Sequence, residues 1–194
     1  MSELPASIRD KVRRYEPVNT DGTTLYPVTV DEYDEFVQAR PAIEFVQQSL
    51  PVAYLSMPLL QAFYAVDINS LIDSQLPTGM LSRAILFLAL ALRVGRGLPV
   101  EERMHKFHVH TSKLDPSRLA SISYTVDVGK EYEITPVKFQ RWLPILAAQN
   151  GLALPSDTDN PELLRAEAIL KAKRSIDVDV SLEAVITCVA MLSG

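Results

Sequence analysis

Three histidines within a short segment, His105, His108 and His110, are the residues whose types and spacing could support metal chemistry. On a β-strand, His108 and His110 would lie on the same face, and two imidazoles at that spacing can together bind a zinc or copper ion. The nearby carboxylates are Glu101, Glu102 and Asp115. They show no recognisable ligand spacing, so we expect surface histidines and no metal cofactor. A small His-dependent metal enzyme remains as an alternative.

The other reactive side chains form no catalytic pattern. The single cysteine, Cys188, lies in the apolar run AVITCVAML, which would neither lower its pKa nor admit a substrate. The chain has no G-x-S-x-G motif, and Gly95-Arg96-Gly97 has the form of a helix end and not of a phosphate-binding loop. Acid pairs such as Asp31-Glu32 are typical of solvated helix faces. We therefore expect no catalytic residues, no cofactor and no enzymatic activity.

Composition limits the partners and the compartment. The formal net charge of -5 argues against a general nucleic-acid binder, although a few basic residues lie near the N-terminus. The longest apolar run, AILFLALAL at residues 84–92, is about half the length of a membrane span. A lone cysteine and a charged N-terminus without an export signal favour a reducing compartment. We expect a protein of the cytoplasm with no membrane partner.

Helix boundaries are most clearly marked between residues 134 and 170. Thr135 can cap a first turn that begins at Pro136, and Asn150 with Gly151 should end that helix, with Gly151 at a positive φ. Asn160, followed by proline and glutamate, repeats the start signal. These residues are predicted to be structural caps, and they determine shape without contributing chemistry.

The remaining elements are predicted from periodicity and turn residues. Residues 1–23 are expected to be a mobile arm, and residues 24–194 a single helical domain. Residues 24–30 should be extended, Asp31 should cap a helix kinked or split at Pro41, and another helix should begin near Val52 with Pro58 inside it. An almost wholly apolar helix should follow Gly79 and end at Gly95 or Gly97.

A change of period from helical to alternating marks residues 105–134 as a β insertion. Two alternating segments flank the turn residues Leu114, Asp115, Pro116 and Ser117, which predicts a hairpin, and EYEITP adds a short strand. The predicted fold class is therefore mainly α (α+β), an irregular multi-helix domain with a small β-hairpin inserted in the middle at about 105–134.

A stripe of large side chains at helical spacing could form either core or a binding surface. Its members are Tyr54, Met57, Leu60, Phe63 and Tyr64. Such residues commonly fill a core, but soft and aromatic side chains also form grooves for an apolar partner helix. If the stripe is core, the next choice for a partner-binding face is the C-terminal segment around Leu182, Val185 and Val189.

Two segments carry a family resemblance and together cover about a third of the chain. They are TLYPVTVDEYDEFVQARPAIEFVQQSLP and ITPVKFQRWLPILAAQNGLALPSDTDNPELLRAE. The matching residues are Tyr26, Pro27, Val28, Tyr33 and Phe36 in the first segment, and Gln149, Asn150, Gly151, Pro155, Asn160, Pro161, Glu162 and Leu163 in the second. On these motifs the chain resembles tail assembly chaperones from phage and prophage tail gene clusters of Gram-positive bacteria.

The resemblance implies a role in tail morphogenesis without catalysis. Proteins of that family are thought to bind the long tape-measure protein and to help the tail-tube protein polymerise around it. The expected partners are therefore the tape-measure and tail-tube proteins. A structural head-tail or baseplate component retained in the virion is the alternative from a different class.

Overall fold

The computed structural model describes residues 4–48, 50–126 and 129–152, all within one unit of the chain, Met1–Ser156. Within those residues, six α-helices are interrupted by five short strands. In chain order they are α1 (Ala6–Arg13), β1 (Val18–Thr20), β2 (Thr23–Leu25), α2 (Tyr33–Gln48), α3 (Leu59–Asn69), α4 (Met80–Leu92), α5 (Val100–Met104), β3 (Phe107–Thr111), β4 (Leu119–Thr125), β5 (Glu131–Ile134) and α6 (Pro136–Gln149). The predicted fold class, mainly helical with an inserted β element, is confirmed.

Helix α4 forms the centre of the core. Ten of its thirteen residues are buried, and it packs against α2, α3, α5 and β2. The predicted central position is thus confirmed, but its predicted end at Gly95 or Gly97 is wrong. Arg93 ends the helix with a φ of 55°, and its guanidinium carbon lies 4.1 Å from the centre of the Tyr26 ring. Stacking on that ring gives a non-glycine residue a reason to adopt the left-handed conformation.

The amino end of α4 is capped by a residue of α3. Gly79 precedes the helix and has no side chain that could cap it. The carboxylate of Asp67 therefore supplies the two acceptor oxygens. Its Oδ1 accepts from the amide of Met80 and its Oδ2 from that of Leu81, each at 2.8 Å. A carboxylate at this position satisfies two first-turn donors and lies at the positive end of the helix dipole.

Helix α3 begins later than its periodicity predicts. A 3-10 turn, Val52–Tyr54, comes first, and α3 starts only after Pro58. Proline disfavours helical geometry in the residue before it, so it stands at the boundary and not inside the helix. The amide of Leu59 is then satisfied from α6, where Gln140 Oε1 accepts it at 3.0 Å.

Helix α2 is preceded by a 3-10 turn, Val30–Glu32, and Asp31 does not cap it. Asp31 instead forms an ion pair with Arg96 at 3.5 Å. The same turn buries the next residue, Glu32, against Arg103. The helix also continues through Pro41 and is not split there. The extended segment predicted at residues 24–30 is a strand only as far as Leu25.

The N-terminal residues that were expected to form a mobile arm contain regular structure. Helix α1 lays Ile8 and Val12 against the core, and β1 pairs with β2 in an antiparallel hairpin. The turn of that hairpin contains Asp21 and Gly22, both at positive φ. Asp21 is held there because its carboxylate accepts from Trp142 Nε1 at 3.3 Å.

The inserted sheet is antiparallel, in the order β3-β4-β5, and lies between α5 and α6. Its predicted turn forms at Asp115, whose Oδ1 accepts from the amide and hydroxyl of Ser117. Thr135 then occupies the N-cap of α6, where its Oγ1 accepts from the amide of Lys138 at 3.2 Å.

The C-terminal end of α6 has the residues expected of a helix stop. Asn150 is the C-cap, Gly151 has a φ of 65°, and the amide of Leu152 bonds the Ala147 carbonyl at 2.8 Å. Asn150 does more than end the helix, because its Oδ1 also accepts from the amide of Val28 at 2.9 Å. The cap predicted at Asn160 lies outside the described residues.

Replacing Asp67 by alanine should destabilise the fold by about 2 kcal/mol, because two amides at the start of a buried helix lose their acceptor. The urea midpoint of the full chain measures this. Asp73→Ala is the matched control: Asp73 accepts from the Gln75 amide in an exposed turn, and its loss should cost less than about 0.5 kcal/mol. Equal losses in the two variants would contradict the capping role.

Tyr124 should make stability depend on alkaline pH. Burial raises the pKa of its phenol to about 12, and Tyr132 adds to the increase, whereas a hydrogen bond with Thr23 lowers it. The unfolded pKa is about 10, so the contribution is complete below that pH and is lost as pH rises from about 10 to about 12. The slope should reach about 1.4 kcal/mol per pH unit at most.

Urea unfolding of wild type and Tyr124→Phe across this pH range tests the expectation. Subtracting the two stability curves removes contributions from other titrating groups. Tyr15→Phe is the control, because Tyr15 is exposed, and it should leave the curve of the wild type unchanged. A Tyr124→Phe curve parallel to that of the wild type would refute the assignment.

Candidate binding groove

An open groove of about 860 Å³ lies between α3, the β3-β4 hairpin and the start of α6. Its walls come from parts of the chain that are distant in sequence: residues 54–69, residues 112–120 and residues 135–137. The inserted hairpin therefore builds one whole side of it. A groove formed by packed elements keeps its shape without a ligand, which is typical of binding sites.

Two hydrogen bonds hold the groove walls together. The Tyr64 hydroxyl donates to the Pro116 carbonyl at 3.0 Å, which ties α3 to the hairpin turn. Gln140 joins α6 to the start of α3 through the amide of Leu59. The two contacts fix the hairpin and α6 relative to α3, so the width of the groove is set by the fold.

The exposed lining of the groove is mixed, with polar residues such as Ser56 and Thr135 beside an apolar patch. In that patch Met57 is 39% exposed, Ile68 38% and Val137 60%, and Leu119, which also lines the groove, is buried. Leu114, at the tip of the adjoining hairpin, is 98% exposed. Aliphatic and thioether side chains gathered in one concave place indicate a site for an apolar partner.

The charged groups of the groove lie on the hairpin. Arg118 Nε is 3.2 Å from Asp115 Oδ2. Hydrogen bonds from the side chain and then the amide of Ser117 hold the pKa of Asp115 below its usual value, and Arg118 acts in the same direction. Asp115 is thus an anion at neutral pH, and the rim presents one charge of each sign that could orient a bound segment.

The predicted stripe is divided between the core and this groove. Phe63 is fully buried, so its predicted role in partner binding is wrong, and Leu60 is buried with it. Tyr54 is also buried, with its hydroxyl accepting from Asn69 Nδ2 at 2.7 Å, although part of it lines the groove. Tyr64 is half-buried, and its hydroxyl is hydrogen-bonded to the hairpin turn. Met57 alone of the stripe is an exposed lining residue.

Because α3 starts after Pro58, Tyr54 and Met57 do not belong to the same helix as Phe63 and Tyr64. A single helical stripe therefore does not exist. The second predicted surface, around Leu182, Val185 and Val189, lies outside the described residues.

Two groove residues, Ile68 and Val137, and the adjoining Leu114 were not predicted from the sequence. Two of them carry a weak local signal: Leu114 is a large aliphatic residue in a polar turn, and Val137 follows the proline that opens α6. An exposed apolar side chain is not needed to form the turn at Leu114 or the helix start at Val137. Ile68 could be recognised only after α3 was oriented.

His108 and His110 lie on β3 and His105 at the end of α5, and none of the three lines the groove. His108 and His110 share one face of β3 as predicted, and His110 Nε2 is 2.8 Å from Ser123 Oγ. Ser123 is buried, and among the described residues no carboxylate is hydrogen-bonded to either imidazole, so the pair lacks the third member of a catalytic triad. In that same part of the chain, no three His, Cys, Asp or Glu side chains lie close enough to hold a metal ion.

Among the described helices, none combines the length and the apolarity needed to cross a bilayer. Comparisons of the chain with models of protein families, with curated proteins and with solved structures give no match. A function must therefore be inferred from the groove and from the resemblance of the two sequence segments.

Replacing Tyr64 by phenylalanine should loosen the hairpin wall of the groove. The variant loses the bond to the Pro116 carbonyl and should be less stable by about 1 kcal/mol. Hydrogen exchange should accelerate at the amides of Ser117 and Arg118, which belong to the turn. Tyr33→Phe, at an exposed tyrosine of α2, should leave these amides unchanged; acceleration in both variants would contradict a local role for Tyr64.

Proposed function

We propose that the protein is a phage tail assembly chaperone that binds an amphipathic helix of the tape-measure protein in the groove between α3, the β3-β4 hairpin and α6. The observation that carries the proposal is the groove itself, which is open and exposes Met57, Ile68 and Val137. Binding there requires shape and apolar contact. The proposed function includes no chemical step.

A helix suits this groove because its apolar residues recur on one side. Anchors at i, i+3 or i+4, and i+7 would lie along the groove, while the opposite face of the helix stays in water. Leu114 could cover an anchor at the hairpin end. The ion pair of Asp115 and Arg118 would interact with polar residues beside the anchors and set the direction of the helix.

The phage assignment rests on the sequence resemblance, and two hydrogen bonds join the described parts of its two segments. Val28, in the first segment, donates its amide to Asn150 of the second. Gln149 of the second segment also donates to the Leu25 carbonyl in the first, at 3.4 Å. The described parts of the two segments are therefore in contact with each other.

A chaperone of this kind must bind reversibly. A tape-measure protein exposes many amphipathic helices before the tube surrounds it, and covering those faces lowers the risk of aggregation. A small groove with few anchors gives moderate affinity, so the polymerising tube could displace the chaperone. We place this activity in the host cytoplasm, with the tape-measure and tail-tube proteins as partners.

Co-expression with the tape-measure protein of the same tail gene cluster tests the proposal. The tape measure should be soluble with this protein and aggregated without it. Met57→Asp combined with Val137→Asp should abolish the effect, because two buried carboxylates would oppose an apolar helix. Val137 is in the first turn of α6, where an acid is compatible with the helix dipole, so the variant should still fold.

Val30→Asp is the matched control, since Val30 is an exposed aliphatic residue outside the groove, and this variant should act as the wild type does. Unchanged tape-measure solubility with the wild-type protein would refute the chaperone function. Full activity of the groove double variant would refute the groove as its site. Stoichiometric recovery of the chain from mature virions would support a structural head-tail or baseplate component instead.

A further inference from the structure

Within the described part of the chain, β3 is an outer strand of its sheet. It pairs with β4 on one side, and none of the described strands pairs with its other edge, the free edge. Thr125 donates its amide to the Lys106 carbonyl at 3.1 Å, and hydrogen-bonded pairs alternate along an antiparallel ladder. His108 and His110 therefore direct their backbone groups at β4. Val109 directs its N–H and C=O away from the sheet.

The sequence of this edge is nearly symmetric about Val109. It reads Phe-His-Val-His-Thr, and it contains none of the charged residues or prolines that commonly block pairing between sheet edges. All four residues after Phe107 are exposed. A second copy of the chain related by a two-fold axis through Val109 would thus find the same edge with matching donors and acceptors.

That pairing would bring the imidazoles of the two copies together. Val109 would form a hydrogen-bonded pair with Val109 of the second copy, so His108 would oppose His110 of the second copy in a non-hydrogen-bonded pair. The Cα atoms of such a pair are about 4.5 Å apart, the closer of the two spacings. Along each strand His108 and His110 are about 7 Å apart on one face. Four imidazoles would then surround one point.

Ser123 would orient one ligand from each chain. Its Oγ lies 2.8 Å from His110 Nε2, and a proton donated by that nitrogen leaves Nδ1 with a lone pair for a metal. Ligating histidines usually hold their second nitrogen in such a bond. A single chain supplies only two imidazoles on this face, which explains why its own described residues form no complete site.

We propose that two copies of this chain pair antiparallel through β3 and bind one zinc ion between His108 and His110 of each copy. Four nitrogen ligands around one point suit the tetrahedral preference of zinc. This site lies on the sheet face and does not depend on the tape-measure function.

Untagged full-length protein, freed of metal by a chelator, is titrated with zinc chloride while its mass is followed by sedimentation equilibrium. Zinc should double the mass at one ion per two chains and lower the dimer dissociation constant by about tenfold or more. His108→Ala and His110→Ala should each abolish the shift. His105→Ala should retain it, because His105 lies before the strand.

Val109→Pro tests the strand pairing separately from the ligands. The substitution removes the amide that faces the free edge but no bond to β4, so the fold should survive, as circular dichroism can verify. This variant should stay monomeric with zinc. A wild-type mass that stays monomeric in zinc would overturn the proposal, as would a zinc-dependent dimer that persists in His108→Ala with His110→Ala or in folded Val109→Pro.

Discussion

The fold depends on the need to bury α4 on nearly every face. No arrangement of two layers could cover such a helix, so α2, α3 and α5 pack around it and strand β2 covers part of it. The contact of Phe36 with Phe87, at 6.2 Å between ring centres, is part of this cover. Burial of a whole helix stabilises the protein through apolar area, but it also removes both helix ends from water. The polar groups at those ends then decide how the surrounding elements are placed.

Side chains from other elements satisfy these ends. Asp67 meets the amino end of α4, and Arg103 Nε donates to the carbonyl of Val94 at 3.1 Å just beyond its carboxyl end. Arg103 is itself buried and pairs with Glu32, also at 3.1 Å, so the same guanidinium joins the entrance of α2 to α5. Removal of either partner from such a buried pair leaves an uncompensated charge, which is strongly destabilising, whereas the intact pair adds little net stability. Its main effect is to specify which elements meet.

A structural feature can be predicted from the sequence when the residues that form it lie close together along the chain. The cap at Thr135, the stop at Gly151 and the hairpin turn are local, and the residues that form them lie within a few positions of each other. The late start of α3 is accompanied by a cap from Gln140, 81 positions away, and the start of α4 by one from Asp67, 13 positions away. A local sequence pattern cannot predict pairs of residues that are so far apart in the chain. The groove was missed for a similar reason: periodicity identified large side chains at residues 54–64. Which of them are buried depends on the start of α3 after Pro58 and on its packing against α4 and α6, which leave Phe63 buried and Met57 exposed.

The inserted sheet joins the hydrophobic core through residues such as Phe107 and Ile122, and it also adds surfaces to the helical part of the fold. One end of its hairpin, with Asp115 and Arg118, forms a wall of the groove, while among the described strands the outer edge of β3, which carries His108 and His110, is unpaired. The two surfaces use different residues of one short element, and Tyr64 anchors that element to α3 through a single carbonyl. Substitutions on the exposed faces of the hairpin can therefore alter binding without disturbing the core around α4. The exposed residues of the proposed binding surfaces are therefore distinct from the buried residues that hold the core around α4 together.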